Sequence, residues 1–230
     1  MKLKVINAFK ENFDTKTIVF EKNNFKFKPG QYLALKLEVK DPKGNMRTFS
    51  ISSSPTENFL SITTKITNSP FKQLLDNLKV GDKIEINGPY GSFILDENKD
   101  AIMLTGGIGI TPLRSMIKYS VDKKLKSNQI LFYSNKIPEE QLYSSEFEKF
   151  SKYSNFKKID TITRVEESKE NWEGITGRID KNLIIKHVKD LNQIFYISGS
   201  RSMVEEILKI LEEMNIPKEN IKSEFFSGYQ

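Results

Sequence analysis

Apolar and polar residues alternate in short runs through the first hundred positions of the chain. In "QYLALKLEVK", Leu33, Leu35, Leu37 and Val39 alternate with Ala34, Lys36, Glu38 and Lys40, and Leu60, Ile62, Thr64 and Ile66 do the same in "LSITTKI". A period of two puts one side of a strand on a core and the other in water. "KLKVIN", "TIVFEK" and "DKIEIN" read as further strands, divided by turn signals at Pro29-Gly30, Pro42 to Asn45 and Gly88-Pro89. One helix interrupts them: Ser69 can cap it, Pro70 suits its first position, and Phe71, Leu74, Leu75 and Leu78 form its apolar stripe. About six strands with one helix predict an antiparallel β-barrel domain over residues 1–97.

Beyond "LDENKD" the texture changes to apolar strand, loop and amphipathic helix in repetition. "AIMLTGG" precedes a helix from Thr111 to Lys124, "QILFYS" one from Pro138 to Tyr153, and "QIFYIS" one from Arg201 to Asn215, with "FKKIDTI" and "IKSEFF" as further strands. That succession predicts an α/β domain with a doubly wound parallel sheet over residues 98–230. Met203, Val204, Ile207, Leu208, Leu211 and Met214 recur at helical spacing and read as core packing.

A length of 230 residues with 37% hydrophobic content is enough for two such domains. The absence of cysteine excludes disulfides, thiolate zinc sites and a cysteine-ligated iron–sulfur cluster on this chain, and no metal site is expected. No apolar run approaches the roughly 18 residues of a membrane span. The opening "MKLKVINAFK" is too short in apolar residues for a signal peptide, so a cytoplasmic protein is expected. The net charge of +6 is spread over lysines interleaved with glutamates, without a recognition-helix or RNA-stacking motif, and nucleic-acid binding is not expected.

Three stretches carry candidate chemistry. "RTFSISSSP" puts a cation, an aromatic ring and several hydroxyls where a barrel strand ordinarily carries Val and Ile. "MLTGGIGITPLRSM" runs an apolar strand into Gly106, Gly107 and Gly109, after which Thr111 can cap a helix beginning at Pro112. Glycines there let backbone approach a ligand, and a strand-to-helix switch is where open α/β sheets bind nucleotides. "YISGSRSM" repeats the arrangement at Ser198, Gly199 and Ser200. His187 has no companion nucleophile or paired carboxylates and reads as structural or surface, so nucleophilic hydrolysis has no constellation.

Taken in order, these stretches resemble the ferredoxin-NADP reductase superfamily, in its bacterial and archaeal NAD(P)H-dependent flavin oxidoreductase branch, over nearly the whole chain. "RTFSISS" is similar to the family's R-x-Y-S-x-x-S, with "FKPGQY" before it. "GPYGSF" and "TGGIGITPLRSM" resemble the end of the flavin domain and the pyridine-nucleotide loop, "YISGSRSM" the C-G-P-x-x-M segment, and "SEFFSGY" the E-x-F-x-G-Y terminus. The resemblance implies that Arg47 pairs with the flavin phosphate, Phe49 stacks on the flavin ring and Ser50 bonds near its reactive nitrogen. Thr48, Ser53 and Lys65 fall within or beside the flavin motif. Gly106, Gly107, Gly109, Thr111 and Pro112 match the nucleotide pyrophosphate loop. The resemblance further implies that Gly199 sits against the nicotinamide with Ser198 beside it, that Glu224 and Phe226 close over the flavin, and that Ser50, Ser198 and Glu224 serve the catalytic centre.

The implied cofactor is FAD, with FMN the less favoured choice, and NADH or NADPH the substrate. The implied activity is hydride transfer from NAD(P)H to flavin, then delivery of electrons to an external acceptor such as an acidic ferredoxin or flavodoxin. The alternative is a flavin-bearing electron-transfer subunit active only within a larger complex. Arg164, Asn135-Lys136 and Arg201 are each available to a 2′-phosphate. Three positions depart from the family pattern. Phe49 replaces tyrosine and Ser198 replaces cysteine. The G-x-x-S-x-x-L helix is degenerate in "ITNSPFKQLL", with Phe71 where the serine is expected.

Overall fold

The computed structural model describes residues 1–226. Two compact units are present. One contains Met1–Leu95 together with Thr111–Asp122, and the other contains Asp96–Ile110 and the chain from Lys123 onward.

In the first unit, six strands form an antiparallel sheet: β1 (Lys2–Lys10), β2 (Thr15–Glu21), β3 (Tyr32–Lys36), β4 (Met46–Ser50), β5 (Phe59–Lys65) and β6 (Lys83–Tyr90), in the order β4-β3-β6-β1-β2-β5. Its two edges meet. Ile51 bridges Ile62, and the Ser52 N–H donates to Ser61 O at 2.9 Å, which rolls the sheet into a barrel. The alternating positions fill it: Leu3, Val5, Ile18, Phe20, Leu33, Leu35, Leu60 and Ile62 form one buried cluster. Helix α1 (Pro70–Asp76) starts as its sequence predicts, with Ser69 Oγ accepting from Lys72 N at 3.3 Å and Pro70 in the first turn. It ends sooner: Leu78 lies past the last turn, while Phe71 and Leu75 are buried.

The seam of the barrel is also where the hydroxyl-rich stretch goes. Ser52 Oγ pairs with Ser61 Oγ at 2.8 Å, and Ser53 Oγ accepts from Ser61 N at 2.9 Å. Helix α2 (Ile110–Lys123) packs on this seam through most of its length. Arg114 donates to both carboxylate oxygens of Glu57, at 2.6 and 3.0 Å, and to Ser52 O at 2.9 Å, while Ser115 Oγ donates to Ser53 O at 2.6 Å. The backbone passes Gly30 so closely that a Cβ there would meet Phe93 O at 2.1 Å, and its φ of +98° suits glycine.

The second unit is a six-stranded parallel sheet: β7 (Ala101–Gly106), β8 (Gln129–Asn135), β9 (Phe156–Ile162), β10 (Ile175–Thr176), β11 (Ile194–Ser200) and β12 (Ile221–Phe226), ordered β10-β9-β8-β7-β11-β12. Helices α3 (Ser144–Phe150), α4 (Lys181–His187) and α5 (Arg201–Glu213) belong to it. Ile102, Leu104, Phe132, Phe195, Ile197, Ile207 and Leu211 form its core, as the apolar runs and the stripe of α5 predict.

Two helix starts differ from expectation. A 3₁₀ turn over Gly107–Gly109 leads directly into α2 at Ile110, so Thr111 is already helical and does not cap. Pro112 remains in the first turn, where its missing N–H leaves no bond unmade. The predicted helix from 138 to 153 is interrupted. A 3₁₀ turn covers Pro138–Glu140, Tyr143 adopts φ +61°, and Leu142 is held by its N–H to Tyr133 Oη at 3.1 Å before α3 begins.

Candidate functional site

Strand β4 ends in the sequence Arg47-Thr48-Phe49-Ser50, and the strand pleat sends these side chains different ways. Thr48 is exposed, while Phe49 and Ser50 are each only 7% exposed. Ser50 Oγ is buried without a hydrogen-bond partner. A buried unpaired hydroxyl costs on the order of 1–3 kcal/mol and calls for an explanation such as a ligand. The neighbouring hydroxyls need none, since Ser52 and Ser53 are paired within the barrel seam.

Arg47 is held by its surroundings. Its guanidinium donates to Lys43 O at 2.6 Å, Gly44 O at 2.8 Å, Met46 O at 2.9 Å and Asp41 Oδ1 at 2.7 Å. Asp41 also accepts from Lys43 N and Phe71 N, and those backbone donors, ahead of Arg47, hold its carboxyl below the usual range. The Arg47 guanidinium lies 5.0 Å from the centre of the Phe71 ring. Phe71 in turn stacks near Phe49, with centroids 6.3 Å apart and planes at 25°. Lys72 Nζ sits 4.7 Å over the Phe49 ring. Two cations and two rings thus converge around Phe49, one residue along the strand from the unpaired Ser50. Lys65 stands at the end of β5, with its ammonium on Asp14 at 2.9 Å.

In the second unit, the glycines of the β7 turn differ in what they allow. A Cβ on Gly109 would meet Ser198 O at 2.4 Å and Gly199 Cα at 2.7 Å, whereas at Gly107, with φ +52°, it would meet nothing within 4 Å. A Cβ on Gly106 would meet Met203 Sδ at 2.5 Å, and one on Gly199 would meet the same sulfur at 3.2 Å. The ends of β7 and β11 are therefore locked backbone to backbone, with open space beside Gly107. Ser198 is fully buried and donates to Gly109 O at 2.7 Å, and its own carbonyl accepts from Thr105 Oγ1 at 2.8 Å. Ser200 Oγ caps α5 by accepting from Met203 N.

At the carboxyl ends of β8, β9 and β11 lies a cavity of about 180 Å³ lined in part by Ser134, Thr163, Arg178, Ser200, Ser202 and Glu206. This is the edge of a parallel sheet at which nucleotides bind. No motif in the sequence marks Arg178, which pairs with Glu206 at 2.7 Å. Arg164 is exposed and pairs with Glu167 at 3.2 Å.

Glu224 lies on β12 in register with Ser198, half-buried, with Oε2 unpaired. Burial pushes its carboxyl up to about 7. The folded apoprotein therefore binds this proton more tightly than the unfolded chain does. The resulting stability is present at acid pH and is lost as pH rises through about 7. Glu224→Gln is expected to raise apoprotein stability near pH 8 by up to about 3 kcal/mol and to leave it unchanged near pH 4, read from thermal melts. Equal effects at both pH values would show that Glu224 is not held in a dry site. Phe226 is half-buried at the end of β12, and Gly228 and Tyr229 of the "SEFFSGY" segment lie outside the described residues.

These features fit the groups the motifs call for. The unpaired Ser50 hydroxyl and the cations Arg47 and Lys72 suit a phosphorylated flavin, while the Gly107 turn and the polar cavity suit a dinucleotide. No helix among the described residues is long and apolar enough to cross a membrane, and no group of three or more metal-ligating side chains occurs among them.

Comparison with known proteins finds two domain families in succession along the chain. The family described as the oxidoreductase FAD-binding domain matches residues 2–94, and the oxidoreductase NAD-binding domain matches residues 103–209. The flavohemoprotein of Bacillus subtilis is 30% identical over 207 residues, covering 87% of this chain and 51% of that protein. The glycine betaine monooxygenase reductase subunit of Chromohalobacter salexigens is 29% identical over 236 residues, covering 98% and 64%. The chain thus spans about half to two-thirds of the length of these relatives. The ferredoxin NADP⁺ reductase of Neisseria gonorrhoeae, solved with FAD and NADP, shares the fold with a TM-score of 0.82 at 20% identity, covering 98% of each chain. With both domain families matched in order along it, the chain belongs to the ferredoxin-NADP reductase superfamily of FAD- and NAD(P)-binding oxidoreductases.

Proposed function

We propose that this chain is an NAD(P)H-dependent reductase whose FAD, when bound, accepts a hydride from the nicotinamide and yields electrons to an acceptor outside the chain. The observation that carries the reading is the buried, unpartnered Ser50 hydroxyl inside the flavin motif. Flavin binding is assigned to residues 1–97 and nucleotide binding to 98–230.

Arg47 has the forked donors that suit a phosphate, and would turn them to it by giving up part of its bonding to Asp41 and the 43–46 carbonyls. Phe49 supplies a flat face and Ser50 a hydrogen bond at the ring edge, with Thr48, Ser53 and Lys65 framing the strand. Gly106, Gly107 and Gly109 let backbone approach the nucleotide diphosphate, followed by Thr111 and Pro112, and Gly199 lies against the nicotinamide. Arg164 is available to the adenosine end. Ser198, through its bond to Gly109 O, positions the loop rather than offering a free donor. Glu224 Oε2 can hold or release a proton near neutral pH, which suits a redox centre that exchanges protons. Phe226 is assigned to the closing edge of the flavin.

The relatives indicate the kind of acceptor. One bears a haem by its name and another is the reductase subunit of a monooxygenase, so a protein acceptor is the favoured class. The excess of lysines and arginines, net +6, suits an acidic carrier such as a ferredoxin or flavodoxin, because charge steering raises encounter rates. The test is steady-state turnover of the FAD-reconstituted chain. Reduction of a neutral dye should be insensitive to salt. Reduction of an acidic carrier should fall by about tenfold or more between low salt and physiological ionic strength. Bound flavin with no dye reduction would instead favour a subunit active only within a complex, the reading that the second relative's name supports.

A further inference from the structure

The family's flavin-domain helix carries a serine where this chain has Phe71, a side chain with no donor for a phosphate. One residue further along stands Lys72. Its ammonium lies 4.7 Å over the Phe49 ring and donates to Thr64 Oγ1 on β5. From β4, the Arg47 guanidinium lies 5.0 Å over the Phe71 ring. The stacked rings hold the two cations in one cluster, and Asp41 is committed to Arg47 and to the N–H groups of Lys43 and Phe71.

We propose that Lys72 is a ligand of the flavin cofactor's phosphate, acting with Arg47 and standing in for the missing serine. The proposal rests on the reading of this chain as a flavin-binding reductase. Lys72 covers a face of the Phe49 ring on which a flavin would stack. The lysine stem has four rotatable bonds, so the ammonium leaves that face at little cost. A phosphate beside both cations then offsets the repulsion between them.

That repulsion is visible in the protein as it stands. Burial first, and Arg47 second, bring the Lys72 ammonium down to about 7. The charged and polar groups around it include Arg47 on β4, Asp41 in the preceding loop and Thr64 on β5, with the neighbouring Lys65 paired to Asp14. A phosphate that stabilises the ammonium raises its pKa, so cofactor binding takes up a proton. Affinity is then highest below about pH 7 and falls as pH rises above it.

The experiment compares binding of FAD and of phosphate-free riboflavin to the apoprotein at about pH 6 and about pH 9, using flavin fluorescence quenching. Wild type, Lys72→Met and Lys72→Arg are measured, each checked for an unchanged thermal melt. Lys72→Met should weaken FAD at the lower pH by about tenfold or more, leave riboflavin within about twofold, and abolish the fall in FAD affinity at the higher pH. Lys72→Arg should retain FAD. The proposal is overturned if Lys72→Met binds FAD as tightly as wild type or more tightly, which would make the lysine a plug over Phe49. Equal loss of FAD and riboflavin overturns it too, since phosphate would then play no part. Wild type that binds neither flavin overturns the reductase reading itself, an outcome distinct from a lysine variant that binds normally.

Discussion

Arg114→Ala is expected to destabilise the barrel unit by about 3–5 kcal/mol, the largest loss from any single polar substitution in it. Arg114 is 9% exposed and holds both oxygens of Glu57, whose side chain is 12% exposed. Truncation leaves that carboxylate buried without its counter-charge and also frees Ser52 O at the barrel seam. Chemical denaturation of the single variant against Arg114→Met combined with Glu57→Gln separates the causes. The double variant should recover much of the loss, because it removes the stranded charge. A single variant within about 1 kcal/mol of wild type would show that the pair is solvated in solution.

The second large effect is expected at Gly109. Its Cβ would stand 2.4 Å from Ser198 O and 2.7 Å from Gly199 Cα, and neither backbone atom can move without disturbing β11. Gly109→Ala should cost about 3 kcal/mol or more and sharply weaken nucleotide binding, because the turn and the neighbouring strand end are displaced together. Gly107→Ala is the control. There the space is open and only the φ of +52° resists, so a loss of about 1 kcal/mol is expected. Thermal melts and nucleotide titrations check both, and equal effects at the two positions would contradict the packing described for β7 and β11.

Much of the fold is legible because it is local. The Ser69-Pro70 start of α1 and the stripe of α5 each act over a few residues, and the structure follows them; alternation in "QYLALKLEVK" picks out the buried Leu33, Leu35 and Leu37, although β3 ends at Lys36 and Ala34 is buried as well. What is not legible depends on contacts distant in sequence. Nothing near Ser52 or Ser53 indicates that their hydroxyls close a barrel seam, since their partner Ser61 lies on another strand and Arg114 is 62 residues from Ser52. "RTFSISSSP" therefore reads as a cofactor edge in which Ser50 and Ser53 both count, whereas the structure leaves Ser50 alone among the serines at 50, 52 and 53 with its hydroxyl unpaired.

The same holds for helix boundaries. Thr111 has the chemistry of a cap and Pro112 that of a first turn, yet the glycines before them form a 3₁₀ turn that brings the helix start forward to Ile110. Leu142 and Tyr143 break the helix expected from 138 because Tyr133, on a strand, captures the Leu142 N–H. In the candidate sites, motif spacing picks out Arg47, Phe49 and Ser50. The placing of Lys72 over Phe49 and of Asp41 on Arg47, and the pairing of Arg178 with Glu206 at the cavity of the parallel sheet, require the folded chain.

The central claim is that this chain binds FAD and that NAD(P)H reduces it. Anaerobic addition of NADH or NADPH to the FAD-reconstituted chain tests it most directly. The account predicts a yellow protein whose flavin absorbance bleaches on addition of at least one nucleotide and returns when air is admitted. A chain that retains no FAD, or whose bound FAD stays oxidised with both nucleotides, would contradict it.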